Sequence, residues 1–163
     1  MMRKNGFTLI ELVVVIVILG ILAVTAAPRF LNLQNDARNA ALEGLKGAVT
    51  GAASIVYGKA VIDGIETLDR ENSAAVISVS GDKINTAYGY PRVDSLKDAL
   101  QLDFENEWAQ VSLAESITGY DYYIGFTFKD QVPEDGFATS CFVGYEEPKA
   151  SGAEPNYKVS GCN

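Results

Sequence analysis

The run FTLIELVVVIVILGILAVTAA, from Phe7 to Ala27, is apolar at nearly every position, and the one charged residue within it is Glu11. As a helix rising about 1.5 Å per residue it spans roughly 30 Å, which matches a bilayer core. A secretory signal peptide is the rival reading, with Met1 to Lys4 as the charged n-region and Thr25, Ala26 and Ala27 near a cleavage site. Three features oppose it. The run exceeds the roughly 7 to 15 apolar residues of a typical h-region. Pro28 would follow the cut. An ionised Glu11 would cost on the order of 3 kcal/mol at mid-bilayer, so it needs either a position near headgroups or a partner.

The acid has a context. A basic leader holding Arg3 and Lys4 ends in Gly6, the apolar Phe7 follows at once, and Glu11 stands one helical turn later. On this stretch, GFTLIELVVVIVILGILA from Gly6 to Ala23, the chain resembles the type IV pilins. The stretch PRFLNLQNDARNAALEGLKGA, Pro28 to Ala48, is similar to the mannose-sensitive haemagglutinin (MSHA) pilins of the type IVa class. The resemblance covers about the first third of the chain well and the remainder only by architecture and cysteine placement.

Carried onto these residues, the resemblance implies that a prepilin peptidase cuts between Gly6 and Phe7 and N-methylates Phe7. It also implies that Phe7, Glu11 and Pro28 serve assembly into a homopolymer. The new α-amino group would be a cation in low dielectric, and Glu11 of a neighbouring subunit can pair with it, cancelling two costly charges together. The implied life history is a single-pass inner-membrane protein that inner-membrane assembly machinery draws from the bilayer into an extracellular pilus of a Gram-negative bacterium. Adhesion, haemagglutination or biofilm attachment, with host-cell or surface glycans as ligands, rests on the resemblance alone.

Pro28 cannot donate its N–H and is expected to kink or loosen the helix around Val24 to Ala27, with Gly20 a second weak point. Beyond it, Phe30, Leu33, Ala37, Ala41, Leu45, Ala48, Ala52 and Val56 recur every three or four residues, while Asp36, Arg38, Glu43 and Lys46 take other faces. Gly44, Gly47 and Gly51 weaken an isolated helix but admit another backbone, so this segment is expected to pack closely on a sheet. A helix lying on a lipid surface is disfavoured by its few basic residues.

After Gly58 short β-type runs alternate with turn residues such as Asp63-Gly64, Gly81-Asp82, Gly89-Tyr90-Pro91 and Pro133 to Gly136. Tyr120 to Lys129 alternates most clearly, with Tyr120, Tyr122, Ile124, Phe126 and Phe128 on one face. Ala74 to Ser80, Ala138 to Tyr145 and Tyr157 to Ser160 are expected as further strands. The second places Cys141, Val143 and Tyr145 together. Ser95 to Leu102 is expected as a short helix with Ser95 as N-cap. The expectation is an α+β fold, a long N-terminal helix packed against a small antiparallel sheet with a C-terminal disulfide loop. Its segments are a leader, 1–6; a transmembrane and assembly helix, 7–27; an amphipathic continuation, 28–58; and a globular head, 59–163.

Composition narrows function further. The 163 residues carry 13 basic and 21 acidic side chains, and losing Arg3 and Lys4 lowers the net charge of −8 by two, to −10. That disfavours nucleic acid as a partner, and with it a DNA-uptake role. The absence of histidine removes the usual general base and the commonest zinc ligand, and no P-loop or dinucleotide fingerprint occurs. No catalytic residue, cofactor or metal site is assigned, and the chain is not expected to be an enzyme.

Cys141 and Cys162, the only cysteines, suit one disulfide made in an oxidising compartment. The bridge would close a loop of about 22 residues and stabilise by roughly 3 kcal/mol on the chain-entropy account. Type IV pilins carry such a C-terminal loop, whereas major pseudopilins of type II secretion, the alternative reading, generally lack it. Tyr120, Tyr122, Tyr123 and Trp108 are expected in the core rather than against sugars. The pairs Glu134/Asp135 and Glu146/Glu147 are expected as solvated acids rather than calcium ligands.

Overall fold

The computed structural model describes residues 7–79, 81–114, 119 and 121–162, the side chains of 27–32 excepted. The chain forms two compact units, Met1–Ala37 and Arg38–Asn163. Helix α1, Leu9–Asp63, begins in the first and ends in the second. It runs through Gly58 and stops where Gly64 turns left-handed at φ 69°. There the Gly64 N–H donates to the Val61 carbonyl and the Ile65 N–H to the Ala60 carbonyl, a Schellman closure that satisfies carbonyls the helix leaves open.

In the second unit α1 buries Leu42, Leu45, Val49, Ala53, Val56 and Ala60, which recur at intervals of three and four and so form one face. This corrects the expected stripe. Leu45 and Val56 belong to it and Ala52 borders it, but Ala41 and Ala48 are exposed, as is Leu33 in the first unit. The larger side chains Leu42 and Val49 remove more apolar surface than the neighbouring alanines, and their face is the one the head covers. The glycines are corrected with it: Gly44, Gly47 and Gly51 are exposed, and a Cβ added at any of them would meet nothing within 4 Å.

Two sheets make up the rest. In the first, β1 (Val76–Val79), β2 (Asp82–Ala87) and β3 (Tyr90–Pro91) pair antiparallel in order. Tyr88 and Gly89, both at positive φ, join β2 to β3 in a two-residue turn of the twist that hairpins favour. Short helix α2, Leu96–Ala99, follows. Ser95 takes the N-cap position, but its hydroxyl donates to Asp94 instead of capping the helix.

The second sheet has the order β6-β4-β5-β7-β8, from β4 (Trp108–Leu113), β5 (Tyr123–Phe128), β6 (Phe137–Ala138), β7 (Phe142–Glu146) and β8 (Asn156–Ser160). Its pairings are antiparallel except for the short parallel match of β4 with β6.

The expected α+β architecture is thus present, with differences in detail. Strands β2, β3 and β4 have no counterpart among the expected strands, and Tyr90 and Pro91, expected in a turn, form β3. The expected strand over 138–145 is broken between β6 and β7, where Cys141 turns to φ 56°. Tyr120 lies outside the described residues, and β5 starts at Tyr123.

The main core joins Leu42, Leu45, Val49 and Ala53 of α1 to Trp108, Ile124, Phe126, Val143 and Tyr145 of the sheet, with Cys141 and Cys162 among them. A neighbouring cluster sets Val56 and Ala60 against Ile77 and Ile84. The opposite face of the five-stranded sheet buries Val111, Leu113, Ala138 and Phe142. Gly125 makes room there, since a Cβ on it would come within 2.4 Å of Leu113 Cδ2.

Candidate processing and assembly site

Helix α1 opens on a reciprocal cap. The Glu11 carboxylate Oε2 accepts from the Thr8 N–H at 2.8 Å and from the Thr8 hydroxyl at 2.7 Å, and the Glu11 N–H donates back to Thr8 Oγ1 at 3.3 Å. Thr8 and Glu11 stand in the spacing of a capping box, which satisfies N–H groups the first turn would leave without partners. Glu11 therefore has a role inside its own chain that the sequence reading missed. The signal was legible, since T-x-x-E before an apolar run marks a helix start. The cap uses one carboxylate oxygen. Oε1 takes no hydrogen bond from any described residue.

Phe7 precedes the cap and is 79 % exposed. It shares a groove with Ile10, Glu11, Val14 and Val15 on one flank of the helix. The carboxylate thus sits one turn from residue 7, and apolar side chains surround it. Cleavage before Phe7 would set an α-ammonium beside Thr8, and pairing with a carboxylate is the arrangement that lowers the cost of either charge in lipid. Leu9–Ala26 is long and apolar enough to cross a membrane, and none of it is buried within the chain. Gly6, the other side of the expected junction, lies outside the described residues. Pro28 stands inside α1, whose helical assignment runs unbroken past it, and its side chain is also outside the description. One turn earlier the Thr25 hydroxyl donates to the Leu22 and Ile21 carbonyls.

The cysteines are bridged, Cys141 to Cys162. The Cys141 N–H donates to the Gly161 carbonyl, its carbonyl accepts from the Thr127 hydroxyl, and the Cys162 N–H donates to Asn39 Oδ1 of α1 at 2.7 Å.

Of the aromatic residues, Trp108 is buried and stacks on Phe128 with ring centroids 4.6 Å apart. Tyr122 lies under the Arg70 guanidinium, 3.3 Å from ring centroid to Cζ, an arrangement that desolvated cations favour.

The acids divide. Glu134 and Asp135 are exposed as expected, with Asp135 accepting the Phe137 N–H. Glu146 and Glu147 are both fully buried, which corrects the expectation of a solvated pair. Glu147 is satisfied by an ion pair with Arg70 at 2.9 Å and by the Val93 N–H at 2.7 Å. Burial raises its pKa above the ordinary carboxylate range, opposed by the Val93 N–H and by Arg70. Consecutive acids carry no local sign of being inside, because the partners of Glu147, Arg70 and Val93, come from distant segments. Among the described residues no three His, Cys, Asp or Glu side chains gather as a metal site.

Comparison with known proteins bears on the N-terminal segment first. Residues 1–27 match the family model described as the prokaryotic N-terminal methylation motif. The chain is also similar to the type IV narrow pilus major component PilA5 of Thermus thermophilus, with 46 % identity over 69 residues, 42 % of this chain and 58 % of that protein. It therefore spans little more than half the length of this relative. No solved structure matches the chain. The capped, unburied apolar helix is the segment that carries the N-terminal methylation motif, and the similarity that accompanies it is to a type IV pilus subunit.

Proposed function

We propose that this chain is the structural subunit of a type IV pilus, cut between Gly6 and Phe7 by a prepilin peptidase, N-methylated on Phe7 and polymerised through its N-terminal helix. The observation that carries this reading is the helix Leu9–Ala26, apolar and unburied, which opens on the Thr8–Glu11 cap within a matched methylation motif. Residues 1–6 are the leader, 7–27 the membrane and assembly helix, 28–58 its continuation and 59–163 the head. Before assembly the helix holds the subunit in the inner membrane; afterwards it lies in the extracellular fibre. Glu11 of one subunit pairs with the Phe7 ammonium of a neighbour.

The second reading is a pseudopilin of a type II secretion machine, which shares the N-terminal segment. The Cys141–Cys162 bridge favours the pilus. Attachment to glycans on cells or surfaces is the use we assign to the fibre, in the manner of the MSHA pilins that Pro28 to Ala48 resembles.

Two measurements test this together. Mass spectrometry of the native protein should find methylated Phe7 as the first residue; an intact Met1 on exported protein would overturn the processing step. Glu11→Ala should leave the Gly6/Phe7 cut in place and lower filament yield at least ten-fold, whereas normal yield would end the pairing account.

A further inference from the structure

The Cys141–Cys162 bridge lies in the main core with only 3 % and 5 % of its two residues exposed. Strand β8 pairs with β7 as far as Ser160, opposite Phe142, and beyond that point Gly161 and Cys162 are tied by the disulfide and by two hydrogen bonds among the described residues. The Gly161 carbonyl accepts from the Cys141 N–H at 3.0 Å, and the Cys162 N–H donates to Asn39 Oδ1 at 2.7 Å. The first contact lies within the disulfide loop. The second comes from α1, 123 residues away in sequence, from a side chain one turn before the buried Leu42. Gly161 permits the approach: a Cβ there would stand 3.3 Å from the same Asn39 oxygen.

We propose that Asn39 is the latch that closes this disulfide to thiols. Thiol–disulfide exchange needs a thiolate in line with the S–S bond. It attacks one sulfur and forms a mixed disulfide while the other sulfur leaves as a thiolate. A dithiol then completes the reduction: its second thiolate attacks the mixed disulfide, closing an oxidised ring and releasing the second cysteine. Two electrons pass from the dithiol to the cystine. With both cysteines in the core beside α1, this attack must wait until the still-bridged pair, Cys162 with Cys141, parts from Asn39 and a sulfur reaches solvent.

The same constraint acts in reverse on maturation. An oxidant or a disulfide isomerase reaches these cysteines only before Cys162 docks on α1, so bond formation precedes docking. The proposal concerns the unit Arg38–Asn163 and does not depend on polymerisation or on the Gly6/Phe7 cut.

The test uses the full chain in detergent micelles, with dithiothreitol as the reductant, alkylation to count freed cysteines, and amide exchange of Cys162 on the oxidised protein. In the wild type, the opening that exposes the Cys162 amide should match the opening that limits reduction. Both should be insensitive to low denaturant, as expected for a local release. Asn39→Ala should speed reduction about ten-fold, the effect of losing one such hydrogen bond, while the thermal midpoint of the oxidised protein moves by only a few degrees. Gly161→Val, which crowds Asn39 without removing it, should speed reduction as well.

Equal reduction rates in wild type and Asn39→Ala would overturn the latch. So would wild-type reduction that follows global unfolding across denaturant. If Asn39→Ala fails to fold, the wild-type comparison of Cys162 exchange with reduction decides on its own.

Discussion

Glu147 is a carboxylate with no exposed surface, held by Arg70 and the Val93 N–H. Removing one partner of such a pair leaves an uncompensated charge inside, which costs about 3 kcal/mol or more. Arg70→Ala should therefore destabilise the head by about that amount at neutral pH. The loss should shrink as pH falls. Burial already holds the Glu147 carboxyl above its usual range, so the folded chain takes up a proton before the unfolded chain does. Without Arg70 this displacement grows, and acid then restores stability by neutralising the buried group. Adding Glu147→Gln should recover part of the loss near pH 7, because an amide accepts from the Val93 N–H without carrying charge. Denaturant midpoints of the wild type and of these two variants across pH check this. The pair was not legible in the sequence, since Arg70 and Glu147 are 77 residues apart. The Thr8–Glu11 cap was legible, because its partners are three residues apart.

At the scale of elements, two glycines separate intrinsic preference from tertiary constraint. Gly51 lies on the exposed face of α1 with open space where a Cβ would go, and Gly51→Ala should raise stability by up to about 1 kcal/mol by removing unfolded-state freedom. Gly89 sits at φ 82° in the β2–β3 turn, where a Cβ would stand 2.9 Å from Tyr57 Cδ2 and 3.0 Å from Glu66 Cα. Gly89→Ala should lower stability by roughly 2 kcal/mol, because the strain and the backbone clash have no easy relief. Thermal melts of the two variants should move in opposite directions. The expectation that Gly44, Gly47 and Gly51 face the sheet failed for a reason the sequence does not carry. Small residues fall on both sides of this helix, and only the head decides which side it covers. Strand β4 was missed for a similar reason. Its helix-side residue Trp108 and its opposite-side residues Val111 and Leu113 are both buried, so no strict alternation of apolar and polar residues appears.

For the whole head, stability should fall in alkali. The Tyr145 hydroxyl is buried and donates to the Pro91 carbonyl at 2.7 Å, and burial pushes its pKa well above the ordinary phenol value. Its cross-strand partner Tyr157 is pushed up to about 12 by burial and by neighbouring acidic groups. Both phenols ionise near 10 once unfolded, so the unfolded chain loses protons first, and the stability they contribute is present below that pH and lost as pH rises toward 12. Denaturant midpoints should drop across this window, with phenolate absorbance rising in two stages, the later one accompanying unfolding. The sequence by itself determined the apolar N-terminal helix with its acid, the shift to an amphipathic continuation, the strand at β5 and the pairing available to two cysteines. Each is written in neighbouring residues or in a count that admits one solution. Only the tertiary structure decided which face of α1 is buried, that Glu146 and Glu147 go inside, and that Asn39 accepts from the Cys162 N–H. Those outcomes depend on groups that meet across the fold, and no local spacing encodes such a meeting.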